Sequence, residues 1–203
     1  MPHDHLAHVA FVGRSNVGKS SLINALVGAR VARTSRAPGK TRLANVYRVA
    51  RGTGTPFYLV DLPGYGYARG GPAAAREFDE LTQAYFGRVR LQPDRQPAVL
   101  LLVDSRHAGL PSDIEAWRWL QAMVATSAVV ATKVDKLARG ERIRAMKKLE
   151  SVFEDSVTPV SAATGEGLDQ LWKLIDRLAN SRKPQHRRSN PQRATAPTHP
   201  RKK

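Results

Sequence analysis

The chain has 203 residues, with 33 Lys+Arg against 17 Asp+Glu, a net charge of +16 and no cysteine. That length suits one domain with an appendage, and a core of this size folds without covalent staples. Disulfides and thiolate metal sites are excluded. No apolar run approaches the ~20 residues that span a bilayer, and the N-terminus lacks the basic and apolar halves of a secretory signal. A cytoplasmic protein without stable membrane insertion is expected. Half of the net charge lies in Ser181–Lys203, which holds eight Lys/Arg and no acid. Such a segment attracts a polyanion, RNA first and an anionic membrane surface second.

Along the chain, short apolar runs alternate with longer amphipathic ones. Residues 7–12 (AHVAFV) predict a strand entering a glycine turn, and 18–28 a helix with Leu22, Ile23, Leu26 and Val27 on one face. Residues 31–45 are a polar loop. VYRVA (46–50) and PFYLVD (56–61) predict two strands around the turn RGTGT. A glycine-rich loop then leads to a helix over 73–88. AVLLLVD (98–104) is the continuous apolar run of a strand buried on both faces. A helix over 112–124, a strand over 127–132, a helix over 138–153, a strand over 156–160 and a helix over 167–179 follow. This alternation predicts an α/β fold. Its mostly parallel six-stranded sheet would have helices on both faces and one antiparallel edge strand. Residues 1–180 read as the domain. Four prolines and the loss of large apolar residues make 181–203 a basic tail expected to be disordered.

The motifs carry the chemistry. GRSNVGKS (Gly13, Arg14, Ser15, Asn16, Val17, Gly18, Lys19, Ser20) fits GxxxxGK[ST], follows a predicted strand and opens a predicted helix. In that setting successive backbone N–H groups, Ser21 included, and the helix N-terminus face phosphate oxygens. Lys19 neutralises β- and γ-phosphates, and the Ser20 hydroxyl binds Mg²⁺. DLPG (Asp61, Leu62, Pro63, Gly64) ends a strand. Asp61 suits Mg²⁺ held through water, and the Gly64 N–H suits a γ-phosphate. TKVD (Thr132, Lys133, Val134, Asp135) fits the guanine-reading [NT]KxD pattern. A carboxylate at Asp135 accepts from guanine N1–H and N2–H₂ together, a donor pair adenine lacks, while the Lys133 stem lies along the base. As a plain helix start, Asp135 would instead be an N-cap. Val160 precedes SAATG, which Ser161 and Ala162 open, in the right order to touch the base by a backbone N–H. In APGKTR, Gly39, Lys40 and Thr41 lie in the polar loop. Thr41 is the candidate switch threonine over Mg²⁺ and γ-phosphate, with Thr34 as the alternative. Lys19, Thr41 and Gly64 are the candidate catalytic groups.

AFVGRSNVGKSSLINAL, APGKTR, DLPGYGYA, LLVDSRHAGLPSD, TKVDKL and VSAATGEG occur in the order and spacing of the EngB (YihA/YsxC) family of bacterial GTPases, over residues 7–179. The chain resembles that family. The resemblance implies a Ras-like P-loop GTPase domain of the TRAFAC class, binding GTP and GDP with Mg²⁺. It further implies a monomeric switch in assembly of the large (50S) ribosomal subunit, with rRNA and ribosomal proteins as partners and a link to cell division. Related GTPases with GxxNxGKS loops use K⁺, so the Asn16 amide is either a K⁺ ligand or a partner of the switch loop backbone.

Tyr65 stands where small signalling GTPases carry a water-orienting glutamine, a role its ring does not suit. Packing within the switch is expected of it. K⁺ or a ribosomal group would then complete the site, and intrinsic turnover would be slow. In VDSRHAG, His107 reads as catalytic or, with more weight, as part of a loop held by an Asp104–Arg106 pair. Trp117, Trp119 and Trp172 fit packing better than base stacking. Two other classes stay open: a P-loop ATPase or kinase, against which TKVD argues, and a nucleotide-independent RNA- or membrane-binding module using the basic tail.

Overall fold

The computed structural model describes residues 6–32, 44–65, 80, 82–87 and 97–180. The tail 181–203 and the polar-loop residues Thr34, Gly39, Lys40 and Thr41 lie outside the described residues, as does most of the helix expected over 73–88.

Among the described residues six strands form one sheet: β1 (Ala7–Gly13), β2 (Asn45–Val49), β3 (Phe57–Asp61), β4 (Ala98–Asp104), β5 (Ser127–Thr132) and β6 (Val157–Pro159), in the order β2-β3-β1-β4-β5-β6. Of these six strands only the β2–β3 pair is antiparallel, with Tyr47 opposite Leu59. The α/β sheet with one antiparallel edge strand is therefore as the sequence predicts. β6 is shorter than the expected 156–160, although Val160 N still bonds Ala131 O of β5 at 2.8 Å beyond its end.

The helices are α1 (Lys19–Val27), α2 (helical residues 82–87), α3 (Pro111–Met123), α4 (Arg139–Phe153) and α5 (Leu168–Asn180). Glycines in the left-handed region bound α1, Gly18 at φ 109° and Gly28 at φ 66°, a conformation most side chains avoid. Pro111 opens α3, where a missing N–H costs nothing. Glu141 accepts from the Ala138 N–H at 3.1 Å to start α4.

Strand alternation splits the core into two layers. Val9, Phe11, Leu100 and Leu102 pack with α1 and α5, whereas Ala10, Val12, Leu101 and Val103 pack with α2, α3 and α4. Each fully buried large side chain contributes about 1.5–3 kcal/mol. Trp117 belongs to the second layer and donates its indole N–H to Phe153 O at 3.2 Å. Trp172 of α5 lies under the β2–β3 turn. The Arg51 guanidinium sits 4.3 Å above its ring and pairs with Asp176 at 3.0 Å. Packing is thus the role of both tryptophans.

Candidate nucleotide site

The carboxyl ends of β1, β3, β4, β5 and β6 share one edge of the sheet. β1 lies between β3 and β4, and the chain passes from β3 on one side of it to β4 on the other, so this edge lies beside a topological switch point. Gly13 ends β1 in close contact with β4, since a Cβ there would lie 2.7 Å from Leu102 O. The loop Arg14–Gly18 follows, with Val17 N bonded to Arg14 O at 3.1 Å. Asn16 turns the chain at φ 62° and is exposed. Lys19 is 8% exposed, and its Nζ donates to Gly13 O at 3.2 Å. Burial pushes the Lys19 ammonium down from its ordinary value, and Asp61 opposes this.

The Ser20 Oγ donates to Asp61 Oδ2 at 3.1 Å. Asp61 is 1% exposed, and its Oδ1 makes no hydrogen bond among the described residues. Burial pushes this carboxyl up, while Lys19 and Ser20 pull it back. An unsatisfied buried carboxylate oxygen beside a hydroxyl is a hard-oxygen pair of the type Mg²⁺ takes. Leu62 continues the β1–β3 contact, its N–H bonded to Phe11 O at 3.3 Å. At Gly64 a Cβ would lie 2.8 Å from Ser15 N and 3.0 Å from Lys19 Nζ, so only glycine brings the main chain so near the lysine. Ser15 N donates to Tyr65 O at 2.9 Å, and the Tyr65 ring is buried, as expected of a packing residue.

On the other side, Thr132 ends β5 with its hydroxyl turned inward, 2.7 Å from Val17 O and 3.1 Å from Val103 O. It braces the P-loop main chain. Lys133 sits at φ 60° and reaches Asn16 O at 2.6 Å and Asp104 Oδ2 at 2.8 Å. Arg106 grips the same carboxylate at 2.9 Å and 2.7 Å, so the expected Asp104–Arg106 pair is present. Burial pushes Asp104 up, but the hydrogen bonds from Arg106 and Lys133 outweigh it and bring the carboxyl down to about 2. That Asp104 also holds Lys133 was not readable from the sequence. The link depends on Asp104 pairing with Thr132 across β4 and β5, a register fixed only in the sheet.

Asp135 accepts from the Ser161 Oγ at 2.7 Å, which itself accepts from Ala163 N and Thr164 N. Hydrogen bonding from Ser161 holds the Asp135 carboxyl below its ordinary value, burial opposing and Lys136 helping. Val134 N bonds Val160 O at 3.4 Å, and Ala162 packs against the core. The turn after it needs Gly167, at φ 76°, because a Cβ would sit 2.0 Å from Pro159 O. The P-loop, DLPG, TKVD and the start of SAATG thus meet along one edge.

A family model described as "50S ribosome-binding GTPase" matches residues 8–133. The chain is also 38% identical over 185 residues to the probable GTP-binding protein EngB of Lacticaseibacillus casei, covering 88% of each chain. The chain belongs to the EngB family of GTP-binding proteins. It is a GTPase of the Ras-like P-loop fold. A crystal structure of a probable GTP-binding protein engB shares that fold, with a TM-score of 0.66 at 24% identity over 87% of this chain and all of that one. So does the NFeoB of S. thermophilus bound to GDP, AlF4⁻ and K⁺, with a TM-score of 0.63 at 20% identity over 87% of this chain and 63% of that one. Among the described residues, no helix of this EngB-family chain is long and apolar enough to cross a membrane.

Proposed function

We propose that the chain hydrolyses GTP to GDP as a conformational switch in assembly of the large ribosomal subunit, in the cytoplasm, and that cell division depends on it through that role. The observation that carries the nucleotide reading is the meeting, along one sheet edge, of Lys19, the Ser20–Asp61 pair and an Asp135 held ionised by Ser161. The large-subunit reading is supported by the description of the matching family model.

In this reading Asp135 accepts from the guanine N1–H and N2–H₂, and Lys133 supports the base from a stem tied to Asp104. The N–H groups from Asn16 to Ser21 and the Lys19 ammonium bind the phosphates, while Val160, Ser161 and Ala162 close over the base. Ser20 and Asp61, the latter through water, would hold Mg²⁺ with Thr41, and the ion would neutralise charge between the outer phosphates. Lys19 stabilises charge on the leaving phosphate as water attacks in line, and Gly64 and Thr41 contact the γ-phosphate. Loss of that phosphate releases the segments carrying Gly39–Thr41 and Leu62–Gly64, and the change in their order alters affinity for the partner.

Tyr65 does not suit the glutamine's role, and intrinsic turnover is expected below the ~1–100 s⁻¹ of kinases. K⁺ at Asn16 or a ribosomal group raises it. The exposed position of Asn16 and the K⁺ named with the NFeoB neighbour support the first.

Co-sedimentation with purified 50S subunits, in GDP and in a non-hydrolysable GTP analogue at two salt concentrations, tests the proposal. Stronger binding with the analogue at both salts is expected. Equal binding in both states that vanishes with salt would favour nucleotide-independent attraction through the basic tail.

A further inference from the structure

Tyr65 follows Gly64 directly and is held at both ends. Its carbonyl accepts from Ser15 N at 2.9 Å, and its phenol donates to Asp113 Oδ1 at 2.9 Å. Between them the ring, 8% exposed, joins the buried cluster that includes Leu62, Phe86 and Trp117. The Ser15 Oγ adds a longer bond to Gly64 O at 3.4 Å.

Asp113 is 1% exposed and lies in the first turn of α3. A carboxylate that deep needs partners. It has the Tyr65 hydroxyl, the positive end of α3 and the nearby charge of Arg14. α3 is itself fixed to the sheet through Trp117 and Leu120, 3% and 0% exposed. A chain of contacts therefore runs from the rigid layer under the sheet, through Asp113 and Tyr65, to the main chain at Gly64. That main chain lies against Lys19 and Ser15, as the close approach of a Gly64 Cβ shows.

We infer that Asp113 is a positioning residue for the GTPase reaction, acting through Tyr65 to hold Gly64 against the P-loop. The inference rests on the reading of Gly64 as a γ-phosphate contact. Tyr65 then takes the glutamine's place without its chemistry. Its hydroxyl is committed to α3, and it anchors the switch instead of orienting water. The consequence is selective. Gly64 answers to the terminal phosphate, which GDP lacks. Slackening the anchor adds an ordering cost to GTP binding and leaves GDP binding nearly untouched.

The test uses the full chain and three variants, Tyr65→Phe, Asp113→Ala and Asp113→Asn. It measures Kd for GDP and for a non-hydrolysable GTP analogue, with kcat and KM for hydrolysis. Tyr65→Phe and Asp113→Ala are expected to weaken the analogue about fivefold relative to GDP, the worth of one buried hydrogen bond, and to lower kcat. Asp113→Asn keeps the ratio, because its amide oxygen still accepts from the phenol. Combining Tyr65→Phe with Asp113→Ala adds little to the larger single effect, since the two act as one unit.

A Tyr65→Phe chain with an unchanged ratio and kcat overturns the inference, and so does an equal loss for both nucleotides, the mark of a merely structural contact. Tyr65→Phe removes one oxygen atom and decides the matter even where Asp113→Ala does not fold. Failure of the unaltered chain to bind either nucleotide would instead sink the reading of the whole site.

Discussion

The two halves of the nucleotide-facing edge are built to different standards. Around TKVD the polar side chains are bonded at short range: Lys133 to the main-chain Asn16 O at 2.6 Å, Ser161 to the Asp135 carboxylate at 2.7 Å, Thr132 to the main-chain Val17 O at 2.7 Å. Around the P-loop the contacts are longer, 3.2 Å for Lys19 and 3.1 Å for Ser20, and one oxygen of Asp61 has no hydrogen bond among the described residues. The pKa directions agree. Asp135 and Asp104 are held ionised by their neighbours, while burial pushes Lys19 and Asp61 toward their neutral forms. In the proposed reading, recognition of the base needs a fixed pattern of donors and acceptors, and the TKVD half is pre-built for it. The P-loop half would carry charges that only a charged ligand satisfies in full, so binding there would be coupled to what is bound.

That contrast can be broken first at Lys19. Lys19→Ala removes the buried cation beside Asp61 and is expected to lower GTP hydrolysis on the order of 10³-fold, measured under single turnover. A loss of a few-fold would mean that the phosphate side does not depend on that charge. On the opposite side, Asp135→Asn should cost GTP affinity by about 100-fold, because a rigid site punishes a mismatched donor. Xanthosine triphosphate, whose edge offers an acceptor at that place, should then be preferred. An unchanged preference would remove Asp135 from base reading.

The smallest effect lies at the junction of the halves and is read by pH. Asp104 titrates at about 2 in the folded chain, below the ordinary carboxylate value of 3.8. Between those values the unfolded chain binds the proton and the folded chain does not. The contribution is therefore complete above the ordinary value and lost as pH falls toward 2. Its size is about 2 kcal/mol. Urea unfolding across this window should show the native chain losing that much more stability than Asp104→Asn. Parallel curves would place the stabilisation elsewhere.

How much of this was legible in the sequence follows from the range of each signal. The strand AVLLLVD, buried along its whole length, and the glycine-bounded helix α1 are local patterns, and they appear within a residue or two of where they were expected. The motifs themselves are local patterns, and their meeting along one edge follows from each standing at or near the carboxyl end of a strand. What stayed hidden are pairs joined only by tertiary structure. Tyr65 and Asp113 are 48 positions apart, and Thr132 and Val17 are 115 apart. Nothing in the composition of either segment announces its partner. Asp104 was read as half of a loop pair with Arg106, which it is, but its hold on Lys133 depends on a strand register that no single segment contains.

The cation stacked on Trp172 has an optical consequence. The chain has three tryptophans, and this one alone carries a guanidinium, Arg51, over its ring among the described residues. Arg51 belongs to the turn joining β2 to β3, the hairpin that lies between the polar loop and DLPG in the chain. If that turn lifts off α5, the charge leaves the indole face and the emission of Trp172 changes. Replacing Trp117 and Trp119 by phenylalanine would leave one tryptophan, at the far end of the hairpin from the candidate nucleotide site, able to report its movement through a turnover without any added label.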